Sequence, residues 1–234
     1  MWKVNVLSLF PKAFPGPLAL SLAGKAMKSG IWTLNSIDIR DYAQDKHQTV
    51  DDKPFGGGNG MVMRPDILGA AIEDVTAKNP GTKLLYMSPR GMVFNQAKAV
   101  ELSKENNITI ICGRFEGIDE RVIKKYQIEE ISIGDFILSG GEIAAMAVID
   151  ACLRLLNGVI VKNSALLEES FGGGSFHSYL LEYPHYTRPA NWEGMSVPDV
   201  LVSGNHAEVA KWRLQKAEEL TKARRPDLWG KYKK

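Results

Sequence analysis

Three glycine-bearing segments, each following a short apolar run, are the first candidates for chemistry. They are Ser88-Pro89-Arg90-Gly91 after Met87, Gly113-Arg114-Phe115-Glu116-Gly117 after Cys112, and Gly134-Asp135-Phe136-Ile137-Leu138-Ser139-Gly140-Gly141 after Ile133. Glycine lets the main chain approach a ligand closely. Open α/β sheets bind ligands beyond the carboxyl ends of their strands. Each segment alone reads equally well as an ordinary βα turn. Their joint occurrence favours a pocket walled by backbone N–H and C=O groups, suited to a flat, hydrogen-bonding ligand such as an adenine. The chain has no G-x-x-x-x-G-K-[ST] loop, and no apolar run is followed by G-x-G-x-x-G, so the common nucleotide fingerprints are absent. The third segment carries Asp135 and no lysine. That suits a ligand without phosphates and with a positive charge, and S-adenosylmethionine meets both conditions.

Other residues carry weaker signals. Arg154 interrupts the apolar run Ala151-Cys152-Leu153-Arg154-Leu155-Leu156. It reads either as a snorkelling side chain at a helix end or as an arginine aimed at developing negative charge. Glu168 and Glu169, just ahead of Ser170-Phe171, are candidate bases for it to work with. His47, His177, His185 and His206 share no metal-ligand spacing. Tyr183-Pro184-His185-Tyr186-Thr187-Arg188-Pro189 mixes aromatic and cationic groups. It is suited either to unstacked bases and phosphates or to a packed connector.

Elements must hold these residues. Strand patterns cover 3–10, 31–39, 83–87, 108–112 and 130–133, and helical patterns cover 18–28, 65–77, 95–104, 118–126 and 142–156. The strands are short and continuously apolar. The expected fold is therefore α/β, with a mainly parallel sheet covered on both faces. The glycine-rich stretch 51–60 reads as a break. Residues 1–160 form the expected first domain and 161–176, centred on Gly172-Gly173-Gly174, a flexible linker. Residues 177–234 form a small, mainly helical second domain with a basic helix over 207–223. Residues 206–234 hold nine Lys or Arg against four acids, so a net +5 tail follows a body of −3. That balance fits a polyanion partner or a solvated helix face.

Composition narrows the class. At 234 residues, 44% hydrophobic and 24% charged, the chain is ordinary globular protein. No run is long enough to span a bilayer. The apolar start is cut by Pro11 and reads as a first strand rather than a signal peptide. Cys112 and Cys152 are expected to be buried free thiols of a cytoplasmic protein.

The chain resembles the bacterial tRNA (guanine-N1)-methyltransferase family of the SPOUT superfamily. The likeness rests on Ser8-Leu9-Phe10-Pro11, Val50-Asp51-Asp52-Lys53-Pro54-Phe55-Gly56-Gly57-Gly58, Gly60-Met61, Ser88-Pro89 and Gly113-Arg114-Phe115-Glu116-Gly117-Ile118-Asp119-Glu120-Arg121. It continues through 131–142, Ser170-Phe171, Pro184-His185-Tyr186-Thr187-Arg188-Pro189 and Ser203-Gly204-Asn205-His206-Ala207. Order and spacing are kept from residue 8 to about 213.

The resemblance implies a deep trefoil knot, where pattern alone predicts an unknotted doubly wound sheet. It implies a homodimer with shared active sites, and methyl transfer from S-adenosyl-L-methionine to N1 of the guanine at position 37, next to the anticodon of tRNA. By position, the cofactor loops are Tyr86, Met87, Ser88, Pro89, Gly113, Gly117, Ile133, Gly134, Asp135, Phe136, Ile137, Leu138, Gly140 and Gly141. Arg154 and Glu169 take the catalytic positions, and Ser170, His185, Tyr186, Arg188, Asn205 and His206 those of substrate binding. The family usually has aspartate before Ser-Phe, so Glu168 and Glu116 stay open as alternative bases. Phe55, Phe115 and Phe136 stand where tyrosine is common. No protein metal site is expected, and a requirement for Mg2+ is left open. Two rivals are a superfamily methyltransferase acting at another RNA position or on a ribose 2′-hydroxyl, and a non-catalytic RNA-binding module. Product mapping would separate the first, and S-adenosylmethionine binding would speak against the second.

Overall fold

A computed structural model describes residues 1–160, 169–172 and 179–232. The chain divides into two compact units, Met1–Val161 and Lys162–Lys234. The linker expected over 161–176 falls outside the described residues except for 169–172.

The first unit is built on five strands: β1 (Trp2–Ser8), β2 (Trp32–Asp38), β5 (Lys83–Val93), β6 (Asn107–Ile111) and β7 (Glu129–Ser132). Their order is β2-β1-β6-β5-β7, and every pairing is parallel. Between them run α1 (Ser21–Lys28), α2 (Pro65–Lys78), α3 (Gln96–Ser103) and α4 (Glu120–Tyr126), and α5 (Glu142–Leu153) follows the last strand. Alternate strand residues enter separate cores. Val4, Val6, Leu85, Ile108 and Ile110 pack with α1, α3 and α5, while Leu7, Tyr86 and Ile111 pack with α2 and α4. Two-sided burial is why these strands read as continuous apolar runs. Within the sheet, Asn5 donates to Thr109 Oγ1 at 3.3 Å, and Thr109 meets Thr82 at 2.9 Å. This buried polar row fixes strand register, because a slip would leave its members unpaired.

Four expected boundaries are corrected. The strand expected to end at Met87 continues to Val93, because Met87 and Met92 both pair with Ile131 and the four residues between them bulge out. The bulge takes Ser88 and Pro89 out of the ladder and towards the strand ends. The helix expected over 18–28 begins only at Ser21, because Leu20 is extended and a 3-10 turn, Gly16–Ala19, precedes it. The expected break begins with a short strand, β3 (Asp51–Asp52), that pairs antiparallel with β4 (Val62–Met63) just beyond it. Finally, α5 stops at Leu153, where the hydrogen bonds of Leu155 and Leu156 tighten to three-residue spacing.

In the second unit a hairpin, β8 (Asn191–Trp192) with β9 (Met195–Ser196), precedes α6 (Asp199–Val202), α7 (His206–Arg224) and α8 (Pro226–Tyr232). Asn205 caps α7 by accepting the Glu208 N–H at 3.3 Å. Among the described residues, no helix is long and apolar enough to cross a membrane. Both cysteines are buried free thiols.

Candidate active site

The three glycine-bearing segments converge, at the bulge of β5 and the carboxyl ends of β6 and β7, around a cavity of about 270 Å3. Tyr86, Met87, Ser88 and Pro89 form one wall, and Gly113 and Gly117 belong to the second segment. Ile133, Gly134, Phe136, Ile137, Leu138, Gly140 and Gly141 come from the third. Of the expected cofactor-loop residues only Asp135 is absent from the lining; it is exposed. The cavity also takes in Arg114, Phe115, Glu116, Ser139 and, from α5, Ala144.

Close approach explains the glycines here. A Cβ on Gly113 would stand 2.7 Å from Tyr86 Cε2, and one on Gly141 would stand 2.8 Å from Cys112 Cα. Gly141 N–H donates to Gly113 O at 3.0 Å, tying the second and third segments together. Burial, aided by the Glu130 carboxylate, raises the Tyr86 phenol above its ordinary value. The hydroxyl is therefore neutral at physiological pH. Burial raises the Cys112 thiol as well, so the sulfur next to the cavity is not a thiolate nucleophile.

A polar cluster that the sequence did not reveal braces this cavity. Glu142, 4% exposed in the first turn of α5, accepts from Ser8 Oγ at 2.7 Å and pairs with Arg114 at 2.9 Å. Arg114 also donates to Ser139 O at 3.0 Å and lies 4.3 Å from the Phe10 ring centroid. One ion pair thus joins the end of β1, both later segments and α5. A buried carboxylate is tolerable only with such partners, and the helix N-terminus favours it further. The sequence signal was present in the Arg-x-x-Gly-x-Asp-Glu run and in Gly-Gly-Glu, but nothing in spacing linked them. Glu142→Ala should destabilise the protein by about 3 kcal/mol, the low end for breaking a buried pair, since Arg114 keeps some solvent contact. Urea unfolding against the parent protein checks this.

The remaining expected residues lie elsewhere. Arg154 is exposed at the end of α5, on the wall of a different cavity that includes Pro17, Leu20, Asp150 and Leu153. Glu168 lies outside the described residues. Glu169 and Ser170 belong to the second unit, where Ser170 Oγ accepts the Glu182 N–H at 2.9 Å. His185 Nε2 is 2.9 Å from Glu182, and the Tyr186 ring is 6.2 Å from that of Trp212. Arg188 is exposed, and so are Asn205 and His206 at the start of α7. Among the described residues, no group of three His, Cys, Asp or Glu side chains is placed to hold a metal ion.

The sequence profile described as tRNA (Guanine-1)-methyltransferase TrmD matches residues 2–231. The chain belongs to this family. Similar proteins include the tRNA (guanine-N(1)-)-methyltransferases of Rhodopseudomonas palustris strain TIE-1 and Ehrlichia canis strain Jake. The first is 58% identical over 97% of this chain and 90% of that protein; the second is 53% identical over 96% and 94%. That of Anaplasma phagocytophilum strain HZ is 54% identical over 96% of this chain and 94% of its own length. The fold of the TrmD family is the SPOUT knot. Membership therefore corrects the unknotted sheet that pattern alone predicts.

Proposed function

We propose that the protein transfers the methyl group of S-adenosyl-L-methionine to N1 of the guanine at position 37 of tRNA, immediately 3′ of the anticodon. Family membership supports methylation of guanine N1 in tRNA. The observation that carries the cofactor is the glycine-walled cavity at the strand ends. It contains Glu116, and its one cation, Arg114, is already engaged by Glu142. That balance favours a positively charged ligand without phosphates. Bound there, S-adenosylmethionine supplies a methyl group already activated by its sulfonium.

The harder task falls to the chain. Guanine N1 carries a proton at neutral pH, and O6 gathers negative charge as that proton leaves. We assign Glu169 as the general base and Arg154, always charged, to face O6. Arg154 is ten positions along α5 from Ala144 of the cavity wall, about 15 Å at the helical rise. That is further than an arginine side chain extends, which supports a homodimer in which Arg154 of one copy serves the cavity of the other.

In this reading residues 1–160 bind cofactor and 177–234 bind the anticodon stem-loop of a cytoplasmic tRNA. Phosphate contacts from α7 and the segment around His185, Tyr186 and Arg188 set the register. The target guanine is turned out of its stack so that N1 can reach the methyl group. The test is methyl transfer from labelled S-adenosylmethionine to two tRNA transcripts, one with guanine and one with adenine at position 37. The expected result is transfer to the first alone, mapped to guanine N1. Transfer to both would overturn the position, and transfer to neither would overturn the activity.

A further inference from the structure

Thr221 lies on α7 and is fully buried at 0% exposure. Its hydroxyl donates to Ala217 O at 2.7 Å, as a helical threonine often does. It has a second partner, the N–H of Leu181, which it accepts at 2.8 Å. Leu181 is the middle of three consecutive residues that each have one backbone group engaged. On either side of it, Leu180 O accepts the Phe171 N–H at 3.4 Å, and the Glu182 N–H donates to Ser170 Oγ at 2.9 Å. Residues 180–182 therefore bond the turn through Leu180 O and the Glu182 N–H, and α7 through the Leu181 N–H.

The turn is the one that carries Glu169. Gly172 N–H closes it on Glu169 O at 2.8 Å, with Phe171 in the left-handed region at φ +64°. Leu180, 1% exposed, seals the same junction. One threonine hydroxyl thus anchors the segment that holds the Glu169 turn to the helix proposed to lie on the RNA.

We propose that Thr221 is a positioning residue for methyl transfer: its hydroxyl fixes residues 180–182, and through them sets where the Glu169 carboxylate stands. The proposal rests on reading Glu169 as the base. It differs from the sequence-based place of Ser170 among the substrate contacts, because the Ser170 hydroxyl accepts a backbone N–H and acts within the same anchor. A carboxylate displaced by about 1 Å loses rate steeply while its ligands still bind.

The experiment compares Thr221→Val, which keeps the shape and removes the hydroxyl, with Thr221→Ser, which keeps the hydroxyl. Single-turnover methyl transfer is followed across pH, with the affinities for tRNA and S-adenosylmethionine measured in parallel. Thr221→Val should lower the single-turnover rate roughly 10- to 100-fold near neutral pH. Both affinities should stay within about threefold, less than the roughly fivefold change of a typical lost hydrogen bond. The deficit should shrink as pH rises and the guanine ionises unaided, and Thr221→Ser should restore the rate. Ser170→Ala, at the other end of the anchor, should show the same split, and it carries the test where Thr221→Val unfolds. A loss of affinity with unchanged rate, or a deficit independent of pH, overturns the proposal. Glu169→Gln run alongside separates the two claims. If Glu169→Gln keeps its rate, the base assignment has failed. If it loses its rate while Thr221→Val and Ser170→Ala do not, the anchor has failed.

Discussion

Glu169→Gln is expected to cut the single-turnover rate of methyl transfer by about 10²–10⁴-fold, the usual contribution of a positioned general base. Glutamine keeps the size and a hydrogen-bonding oxygen but cannot accept the guanine N1 proton. Affinity for S-adenosylmethionine should not change, because glutamine keeps the bulk of the replaced side chain. Glu168→Gln is the control and should keep its rate, since only one of the adjacent carboxylates can occupy the position ahead of Ser170. Arg154→Ala should lose about 10²–10³-fold, the scale for removing one group that stabilises developing charge. The two defects should differ with pH. Raising pH relieves the missing base by ionising the guanine, but it does nothing for an O6 left without its cation. Near-normal turnover of Glu169→Gln with loss in Glu168→Gln would move the base by one residue. Near-normal turnover of both would point to Glu116, which lines the cavity.

The parts of the fold that were legible follow from two-sided burial. The inner strands read as apolar runs because residues such as Val4 and Val6 enter one core and Leu7 the other, and the glycines that follow β6 and β7 read as loops. Periodicity reports which residues are buried and carries nothing about how the chain is threaded, so the knot was reached only through the family motifs. The extension of β5 to Val93 was hidden by Pro89 and Gly91, which look like a strand end. The chain leaves the ladder there and returns to the same partner residue. The brace of Ser8, Arg114 and Glu142 was illegible because its members are up to 134 positions apart, and no local pattern couples them. Asp135 carried the charge argument in the sequence; it is exposed and absent from the cavity lining, where the acid is Glu116.

Gly141→Ala tests the cavity without touching any proposed catalytic group. Gly141 has φ −77° and ψ −7°, ordinary helical torsions, so alanine brings no backbone strain. Its whole cost is the methyl group. That group would stand 2.8 Å from Cys112 Cα, 3.2 Å from Gly113 N and 3.2 Å from Met87 Cβ. Two of these are main-chain atoms and none is the end of a flexible side chain, so the relief is a shift of one segment away from the others. Overpacking of this kind costs about 1–3 kcal/mol. The segments that must move are the ones that wall the cavity, so the penalty should fall on ligand affinity. S-adenosylmethionine should bind roughly 5- to 150-fold more weakly by calorimetry, while the far-ultraviolet circular dichroism keeps its shape. Gly230→Ala, with nothing within 4 Å of the added carbon, should leave affinity unchanged. Unaltered binding by Gly141→Ala would mean that the cofactor does not need the close approach of these segments, and the strand-end cavity would lose its claim to hold it. Weaker binding with an intact fold ties affinity to backbone packing. That is the property that let glycine spacing, rather than any charged motif, mark the site in the sequence.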